Sequence, residues 1–522
     1  MSDQAQPNIV ASSLKVTIIK MAGSLAGFIA ILLIARKYGS NDVTDAFFIG
    51  RLLPIIIAAQ IARALSISLV PVFTRIHSNE GEQACRKAVR STITAVGGLL
   101  LIFTALFAVC SPTILHFQAP GFDEEQYASA FKIAMTVLPL YFLLGTNSVI
   151  ESYLNLKHIF LPAELASALT SFGTIVGIVF LSPLMGLQGV AVGTSTGALL
   201  GFLLLNFFAI RRFKLLPSLD PRLGFRTLKG GYKALMSIFY GVSAGQAAMI
   251  IAQAFATTLG DGKVTIFNYS VRLVTGFPFM GGMALGKVLM PKLSKEADAD
   301  DPSVLRASVT MILRGILFIF LPYTVAFFLF RDVVVDILFS GGMDAENLSA
   351  LSMTLAFHSP AILSGAANII LLRTFHSLNE STIIFRSSTV FLVVNLATIY
   401  FLSYLAGFGV AGLGGAYSVA TTFQMFGLMY LLSKRIGIFI DRPFFVFLGK
   451  VLLGMALASI PVWFLLPSDL FSTNSLSEWA FAAIAFVAMS VVGIAALSVL
   501  RVAEMQKITQ IFARKFLRRM AS

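Results

Sequence analysis

Charged residues and cysteines are scarce in this sequence. Asp, Glu, Lys and Arg together make up only 12% of the 522 residues, whereas about a quarter of a soluble globular domain is charged. Hydrophobic residues account for 57% of the chain, and the mean hydropathy is +0.85. The shortage of charge therefore excludes a large soluble protein and indicates an integral membrane protein.

The chain also lacks the residue clusters that enzymes and metal proteins use. Its two cysteines, Cys85 and Cys110, are too few for a disulfide framework or a zinc cluster, so we expect two unpaired thiols. The five histidines are scattered, and "GDGKVT" at 260–265 lacks the first glycine of a phosphate-binding loop and ends in valine. These absences predict no metal, no cofactor, no ATP hydrolysis and no enzymatic activity. The function class that remains is transport driven by an ion gradient or by the membrane potential.

Apolar stretches recur along the whole chain. A transmembrane helix needs about 20 apolar residues, and we count roughly fourteen such segments, which predicts an all-α polytopic membrane protein. Lys and Arg concentrate in the even-numbered loops and in the tail, whereas odd-numbered loops such as "GFDEEQYAS" are acidic or neutral. Because cytoplasmic loops collect Lys and Arg, both termini are predicted to be cytoplasmic. The same rule accounts for the net charge of +14 without nucleic-acid binding.

Two motifs return at the same distance along the chain. "ALSISLVPVFTR" at 64–75 is matched by "ALGKVLMPKLSK" at 284–295, and "GVA" at 189–191 by the same letters at 409–411, both 220 residues later. Each copy holds six segments, an even number, so the copies share one orientation in the membrane. Parallel repeats are a transporter architecture with the substrate site near the midplane. The prediction is two parallel six-helix repeats plus two C-terminal helices.

The repeat also predicts the domain organisation. The predicted parts are a first six-helix repeat at 1–215, a cytoplasmic linker at 216–229, a second repeat at 230–436, two additional transmembrane helices at 437–500 and a basic cytoplasmic tail at 501–522.

Arg272 is the most unusual residue inside the apolar segments. In "YSVRLVTGFPF" at 269–279 it lies about nine residues, or ~14 Å, from the start of the eighth segment near Lys263. A cation at this depth costs about 2.5–3.5 kcal/mol on insertion scales and usually faces a bundle interior or a wet cavity. Two interpretations follow: Arg272 forms a structural pair with a buried carboxylate, or it binds an anionic substrate.

Further polar groups are spread over the segments, and cations outnumber carboxylates among them. The candidate site residues besides Arg272 are Arg51, Arg63, Asp45, Lys20, Arg314, Gln246, Gln253 and Asn268. Surplus cations suit a phosphate or pyrophosphate headgroup, and the planar fork of arginine fits phosphate oxygens bidentately. The three amide side chains either line a path for a sugar headgroup or join helices. Glu151 and Glu164 are placed near the cytoplasmic face.

Two stretches resemble a known family. "ARKYGSNDVTDAFFIGRLLP" at 35–54, followed by "ALSISLVPVF", resembles the signature of the MurJ/MviN lipid II flippases, which belong to the multidrug/oligosaccharidyl-lipid/polysaccharide exporter superfamily. "YSVRLVTGFPFMGGMALGKVLMPKLSK" resembles the eighth segment of that family. The resemblance covers nearly the whole chain, including the two extra segments.

The resemblance implies a function. It implies a flippase of the bacterial inner membrane that moves an undecaprenyl-pyrophosphate-linked saccharide from the inner to the outer leaflet by alternating access, with envelope-synthesis enzymes as candidate partners. Arg272 matches the cavity arginine that engages the diphosphate in the family, and Asp45 matches the aspartate of T-D-A-F-F.

The sequence departs from the family pattern at several cations. Where the first segment of the family carries arginines, this chain has Ser24 and Ala30, and an arginine pair of the second segment is replaced by Ala58 and Ala59. Lipid II and an exopolysaccharide or other envelope precursor therefore both remain as substrates. Two other classes stay open: a cation-coupled multidrug exporter of the same superfamily, and a non-transporting scaffold for envelope synthesis.

Overall fold

All regular structure in the described part of the chain is helical. The computed structural model describes residues 6–276, 293, 296–297, 301–378, 380–465, 492–493, 495 and 499. Within these residues, nine helical stretches are long and apolar enough to cross a membrane, which confirms the predicted all-α polytopic class. Almost all of the motif at 284–295, the fourteenth segment and the tail at 501–522 lie outside the described residues, and the count of fourteen spans stays a prediction.

The chain divides into two compact units. Unit 1 comprises Met1–Tyr269 with Gly341–Asn347, and unit 2 comprises Ser270–Ser340 with Leu348–Ser522. The helices of unit 1 are α1 (Gln6–Tyr38), α2 (Asp42–Gln118), α3 (Glu124–Val137), α4 (Leu140–Leu156), α5 (Leu161–Val176), α6 (Ser182–Met185), α7 (Leu187–Phe213) and α8 (Arg222–Thr257). Helix α9 (263–276) contains the boundary between the units. The remaining helices are α10 (Pro302–Leu329), α11 (Arg331–Phe339), α12 (Ala345–His358), α13 (Pro360–Ser377), α14 (Ser381–Ile399), α15 (Gly409–Ile436) and α16 (Arg442–Leu465). They belong to unit 2, except that the first three residues of α12 belong to unit 1.

Helix α2 contains both the second and the third predicted segment. The Asn41 side chain caps its start and accepts from the Thr44 N–H at 3.0 Å, while the Asn41 N–H donates to the Thr44 hydroxyl at 2.8 Å. The helical path is interrupted at Gly81, whose φ of 83° is a conformation that glycine adopts without steric cost. The chain turns there within the predicted cytoplasmic loop.

The predicted linker at 216–229 is partly helical, since α8 begins at Arg222.

The element boundaries repeat in the same way as the sequence motifs. The fourth span of the first copy is broken between α3 and α4 beside Pro139, and its counterpart is broken between α12 and α13 before Pro360. A π-helical stretch, Gly177–Leu181, precedes α7, and a second one, Tyr400–Leu405, precedes α15. Pairs of irregular features at equivalent places support a duplicated fold.

Glycines allow α5 and α7 to pack with their backbones in contact. A Cβ atom on Gly193 would lie 2.5 Å from the carbonyl oxygen of Gly173, and one on Gly197 would lie 2.4 Å from the carbonyl oxygen of Leu169. The hydroxyls of Thr174 and Thr194 are 2.9 Å apart in the same interface. Small residues at a close helix crossing are the usual means of association inside a membrane.

Candidate functional site

Arg272 lies on the part of α9 that belongs to unit 2. Its side chain is partly buried, and its Nε atom is buried with no hydrogen-bond partner. In the described part of the chain, no carboxylate forms an ion pair with its guanidinium group. A buried polar group without a partner carries a desolvation cost, which a bound anion would offset. The structural-pair interpretation therefore lacks a partner among these residues.

A buried histidine anchors the same turn of α9. The Ser270 hydroxyl lies 2.9 Å from the His358 Nδ1 atom, and the Ser418 hydroxyl donates to the His358 carbonyl at 3.1 Å. His358 is 1% exposed, and its ring packs edge-on against Tyr417 at a centroid distance of 5.4 Å. In the sequence, His358 is one of five scattered histidines, and a single histidine in an apolar run does not reveal its neighbours.

Arg314 in α10, like Arg272, leaves a hydrogen-bond donor of its side chain unused. Its Nε atom is buried without a hydrogen-bond partner, and its guanidinium carbon lies 5.6 Å from the ring centre of Phe447 in α16. A cation over an aromatic face is stabilised by the ring quadrupole, but the arrangement leaves the Nε donor unused. Among the described residues of unit 2, two arginines thus have unused donor capacity.

Asp45 is part of a buried hydrogen-bond set in unit 1. Its carboxylate accepts from the Thr265 N–H at 2.7 Å and from the Thr265 hydroxyl at 2.6 Å, and the side chain is 1% exposed. Close by, the Tyr269 hydroxyl donates to the Gly39 carbonyl at 2.9 Å. These bonds join the beginning of α2 and the chain before it to the first two turns of α9.

The two arginines of the second segment have different surroundings. The Arg51 guanidinium lies 5.0 Å from the ring centre of Phe47, and Arg51 is partly buried, whereas Arg63 is exposed. They are twelve residues apart on α2, which is ~18 Å along a helix. The structure therefore does not bring these two cations together.

Lys20 is paired in unit 1. Its Nζ atom lies 3.6 Å from an Oε1 atom of Glu164, with side chains that are 51% and 26% exposed. Glu151 in α4 interacts electrostatically with both residues. All three residues stand out in the sequence, but their association does not, because 144 residues separate Lys20 from Glu164.

The amide side chains divide into a bonded pair and a separate residue. Gln253 donates to the Asn268 side chain at 3.3 Å, and Asn268 in turn donates to the Val264 carbonyl at 2.9 Å. Gln253 is fully buried, which favours joining α8 to α9 as the role of this pair. Gln246 is partly buried, two turns earlier on α8.

Duplicated helices, many apolar spans and arginines within them define a polytopic α-helical membrane protein of the transporter class. The chain matches the family model described as lipid II flippase MurJ over residues 34–482. It therefore belongs to the MurJ family, as the sequence motifs predicted.

Individual relatives agree with this assignment. The chain is 25% identical over 467 residues to a probable lipid II flippase MurJ of Buchnera aphidicola, covering 88% of this chain and 90% of the relative. Its fold is similar to a solved lipid II flippase MurJ in an inward closed conformation, with a TM-score of 0.75, 17% identity and coverage of 96% and 99% of the two chains. An inward-facing multidrug resistance MATE transporter gives a TM-score of 0.63 at 14% identity, covering 81% of this chain and 98% of the transporter. At these identities the structural matches show the fold alone.

Proposed function

We propose that this protein is a flippase for an undecaprenyl-pyrophosphate-linked saccharide, which it moves from the inner to the outer leaflet of the bacterial inner membrane by alternating access. The observation that carries the proposal is the buried Nε atom of Arg272, which has no protein partner in the described part of the chain. Membership of the MurJ family supplies the substrate class.

The chemistry of arginine supports this substrate. Inside a membrane protein, a guanidinium group attracts an anion more strongly than it does in water because the surroundings screen it less. Its planar donors match two oxygens of a phosphate at once. Arg272 would therefore hold one phosphate of the pyrophosphate, and Arg314, whose Nε atom is also unsatisfied, is a second candidate contact. No covalent bond is made or broken, so the protein acts as a transporter and not as an enzyme.

The missing family cations affect the choice between substrates. Ala30 is 2% exposed and Ala58 is fully buried, so an arginine at either position would have to displace packed helices of unit 1. This chain therefore relies on cations at other positions to hold the headgroup. We propose lipid II as the substrate on the strength of the family, and an exopolysaccharide precursor is the alternative that the experiment separates.

The test is complementation of cells depleted of their own lipid II flippase. The wild-type chain is expected to restore growth, and Arg272→Ala is expected to fail at equal membrane abundance. Arg272→Lys keeps the charge but loses the fork, and we expect partial rescue at most. Arg226→Ala removes an exposed arginine of α8 and serves as the matched control with full rescue.

The outcomes separate the alternatives. A well-expressed wild-type chain that fails to rescue excludes lipid II and leaves another lipid-linked saccharide as the substrate. Full rescue by Arg272→Ala would contradict the binding role of this arginine and would favour a scaffold.

A further inference from the structure

Two cations lie side by side in the last turn of α1. Arg36 and Lys37 directly precede Tyr38, where the helix ends. The predicted topology places this end of α1 on the outer side of the membrane, whereas Lys and Arg normally collect on the cytoplasmic side. The pair is therefore an exception to the charge pattern of the chain, and membrane orientation does not explain it.

The two cations line an open cavity of about 260 Å³ in unit 1. The other lining residues are Leu33, one turn earlier on α1, and Ile178 and Val179 of the π-helical stretch that follows α5. The cavity thus combines apolar walls with positive charge. Its volume is below the ~300–1,000 Å³ of a pocket for a drug-sized ligand, and it suits a small headgroup with the first carbons of an attached chain.

Lys37 has only neutral partners among the described residues. Its Nζ atom donates to the Ser182 hydroxyl at 2.8 Å and to the Ile178 carbonyl at 3.4 Å, and it lies 5.7 Å from the ring centre of Tyr38. An ammonium group has three donors, and no carboxylate in the described part of the chain forms an ion pair with this one. Its charge and its third donor are therefore available to an anion in the cavity.

The internal repeat supplies a comparison for this place in the fold. A Cβ on Gly189 would lie 2.8 Å from the backbone nitrogen of Ser182, and one on Gly412 would lie 2.7 Å from the backbone nitrogen of Ser403. Each serine lies in or directly after a π-helical stretch and packs against the helix that follows. Ser182 and Ser403 therefore hold equivalent places in the two copies.

The second copy has no cation at the equivalent place. Thr257 stands 220 residues after Lys37, and the buried Ser403 hydroxyl has no hydrogen-bond partner in the described part of the chain. The π-helical stretch Tyr400–Leu405 nevertheless forms. A cation in the last turn also interacts favourably with the helix dipole, but the duplicated fold does not require one here. This comparison favours a binding role for the pair in α1.

We propose that the cavity beside Arg36 and Lys37 binds the phosphate of an anionic phospholipid in the outer leaflet. The phosphodiester accepts from both cations, and the start of an acyl chain lies along Leu33 and Val179. Val179 belongs to a membrane span and is 49% exposed in the protein alone, so its side chain contacts lipid in a bilayer. The inference goes beyond flipping, because it concerns a lipid that is not transported and a site that does not include Arg272.

The test is site-resolved photo-crosslinking of the full-length protein in nanodiscs. A phosphatidylglycerol with a photoreactive acyl chain is added to a phosphatidylcholine bilayer, and peptide mass spectrometry measures the adducts on residues 176–182. Arg36→Gln and Lys37→Gln are each expected to lower the yield about fivefold at subsaturating probe, which is the effect of one cation near an anionic headgroup. Adducts on the basic cytoplasmic loops are the internal standard.

The matched control for the charge is Arg331→Gln. Arg331 is also predicted to lie on the outer side, but it is paired with Asp332 at 3.5 Å and does not line the cavity. We expect this variant to leave the adducts on residues 176–182 unchanged.

A second variant tests the apolar part of the cavity without changing its charge. Val179→Trp fills the cavity and keeps the bonds of Lys37, so we expect a similar loss of phosphatidylglycerol adducts, measured on residues 30–38. Leu199→Trp adds the same bulk to a residue of α7 that is 44% exposed and outside the cavity, and it should change nothing. If Lys37→Gln loses stability together with its bond to Ser182, Val179→Trp still decides the question.

Three results would overturn the inference. The first is an unchanged adduct yield in the cation variants or in Val179→Trp at normal unfolding temperature. The second is equal labelling by a photoreactive phosphatidylcholine, which would show that the negative charge of the headgroup is not recognised. The third is preferential labelling by undecaprenyl pyrophosphate with the same photoreactive group, which would assign the cavity to the carrier lipid. None of these results bears on Arg272, so the proposed function is tested separately by complementation.

Discussion

The carboxylate of Asp45 accepts two hydrogen bonds from Thr265, one from the backbone at 2.7 Å and one from the hydroxyl at 2.6 Å. The two residues are 220 positions apart, which is the spacing of the internal repeat. The bond thus connects equivalent positions of the two copies, the beginning of α2 and the beginning of α9. The carboxylate of Asp45, a residue that is 1% exposed, is thus bonded within the protein and shielded from solvent.

Replacing Asp45 with alanine is expected to destabilise the protein by about 1–3 kcal/mol, because the buried Thr265 N–H loses its acceptor. Asp45→Asn keeps one acceptor oxygen and should cost less, as should Thr265→Val, which removes only the hydroxyl. Thermal unfolding of the detergent-purified proteins measures the order of stability of these variants. Asp42→Asn, three residues earlier and exposed, is the control, and an Asp45→Ala variant as stable as this control would contradict the structural role.

Arg272→Met is expected to abolish transport without lowering stability. The variant removes a partly buried charge whose Nε has no partner, and such a group carries a desolvation cost that an apolar side chain does not. The measurements are the unfolding temperature and complementation. Arg435→Met removes an arginine that is 55% exposed and 2.8 Å from Glu380, and it should keep activity. A marked loss of stability in Arg272→Met would instead indicate a structural ion pair.

The sequence predicted the fold better than it predicted the neighbours of individual charges. Hydropathy identifies which residues cross the membrane, and two motifs resemble the MurJ family, so the helical class and the family were both predicted and are confirmed. Neither pattern states which side of one helix faces which side of another. The pairing of Lys20 with Glu164 and that of Ser270 with His358 depend on how each helix is rotated about its own axis. Only the structure shows this rotation.

His358→Ala is expected to cost about 2–4 kcal/mol of stability, because it leaves a cavity in unit 2 and removes the bond to Ser270. Transport is also expected to fall, since Ser270 is two residues before Arg272 on α9. The matched control is His376→Ala, where the side chain is exposed. Unfolding temperature and complementation at equal expression test whether His358 anchors α9. Equal stability of the two variants would exclude this role.

Gly193→Ala is expected to destabilise unit 1 by about 1–3 kcal/mol, because the added methyl group would overpack the interface. The new Cβ would lie 2.4 Å from the Cα of Gly177 and 2.5 Å from the carbonyl oxygen of Gly173, and backbone atoms cannot move aside as a flexible side chain can. Gly98→Ala is the matched control, because Gly98 is also inside a helix but has no atom within 4 Å of an added Cβ. Alanine is favoured over glycine in a helix by roughly 1 kcal/mol, so this control should be neutral or stabilising. Opposite signs of the two shifts in unfolding temperature would establish the close contact of α5 and α7, and a stabilising Gly193→Ala would contradict it.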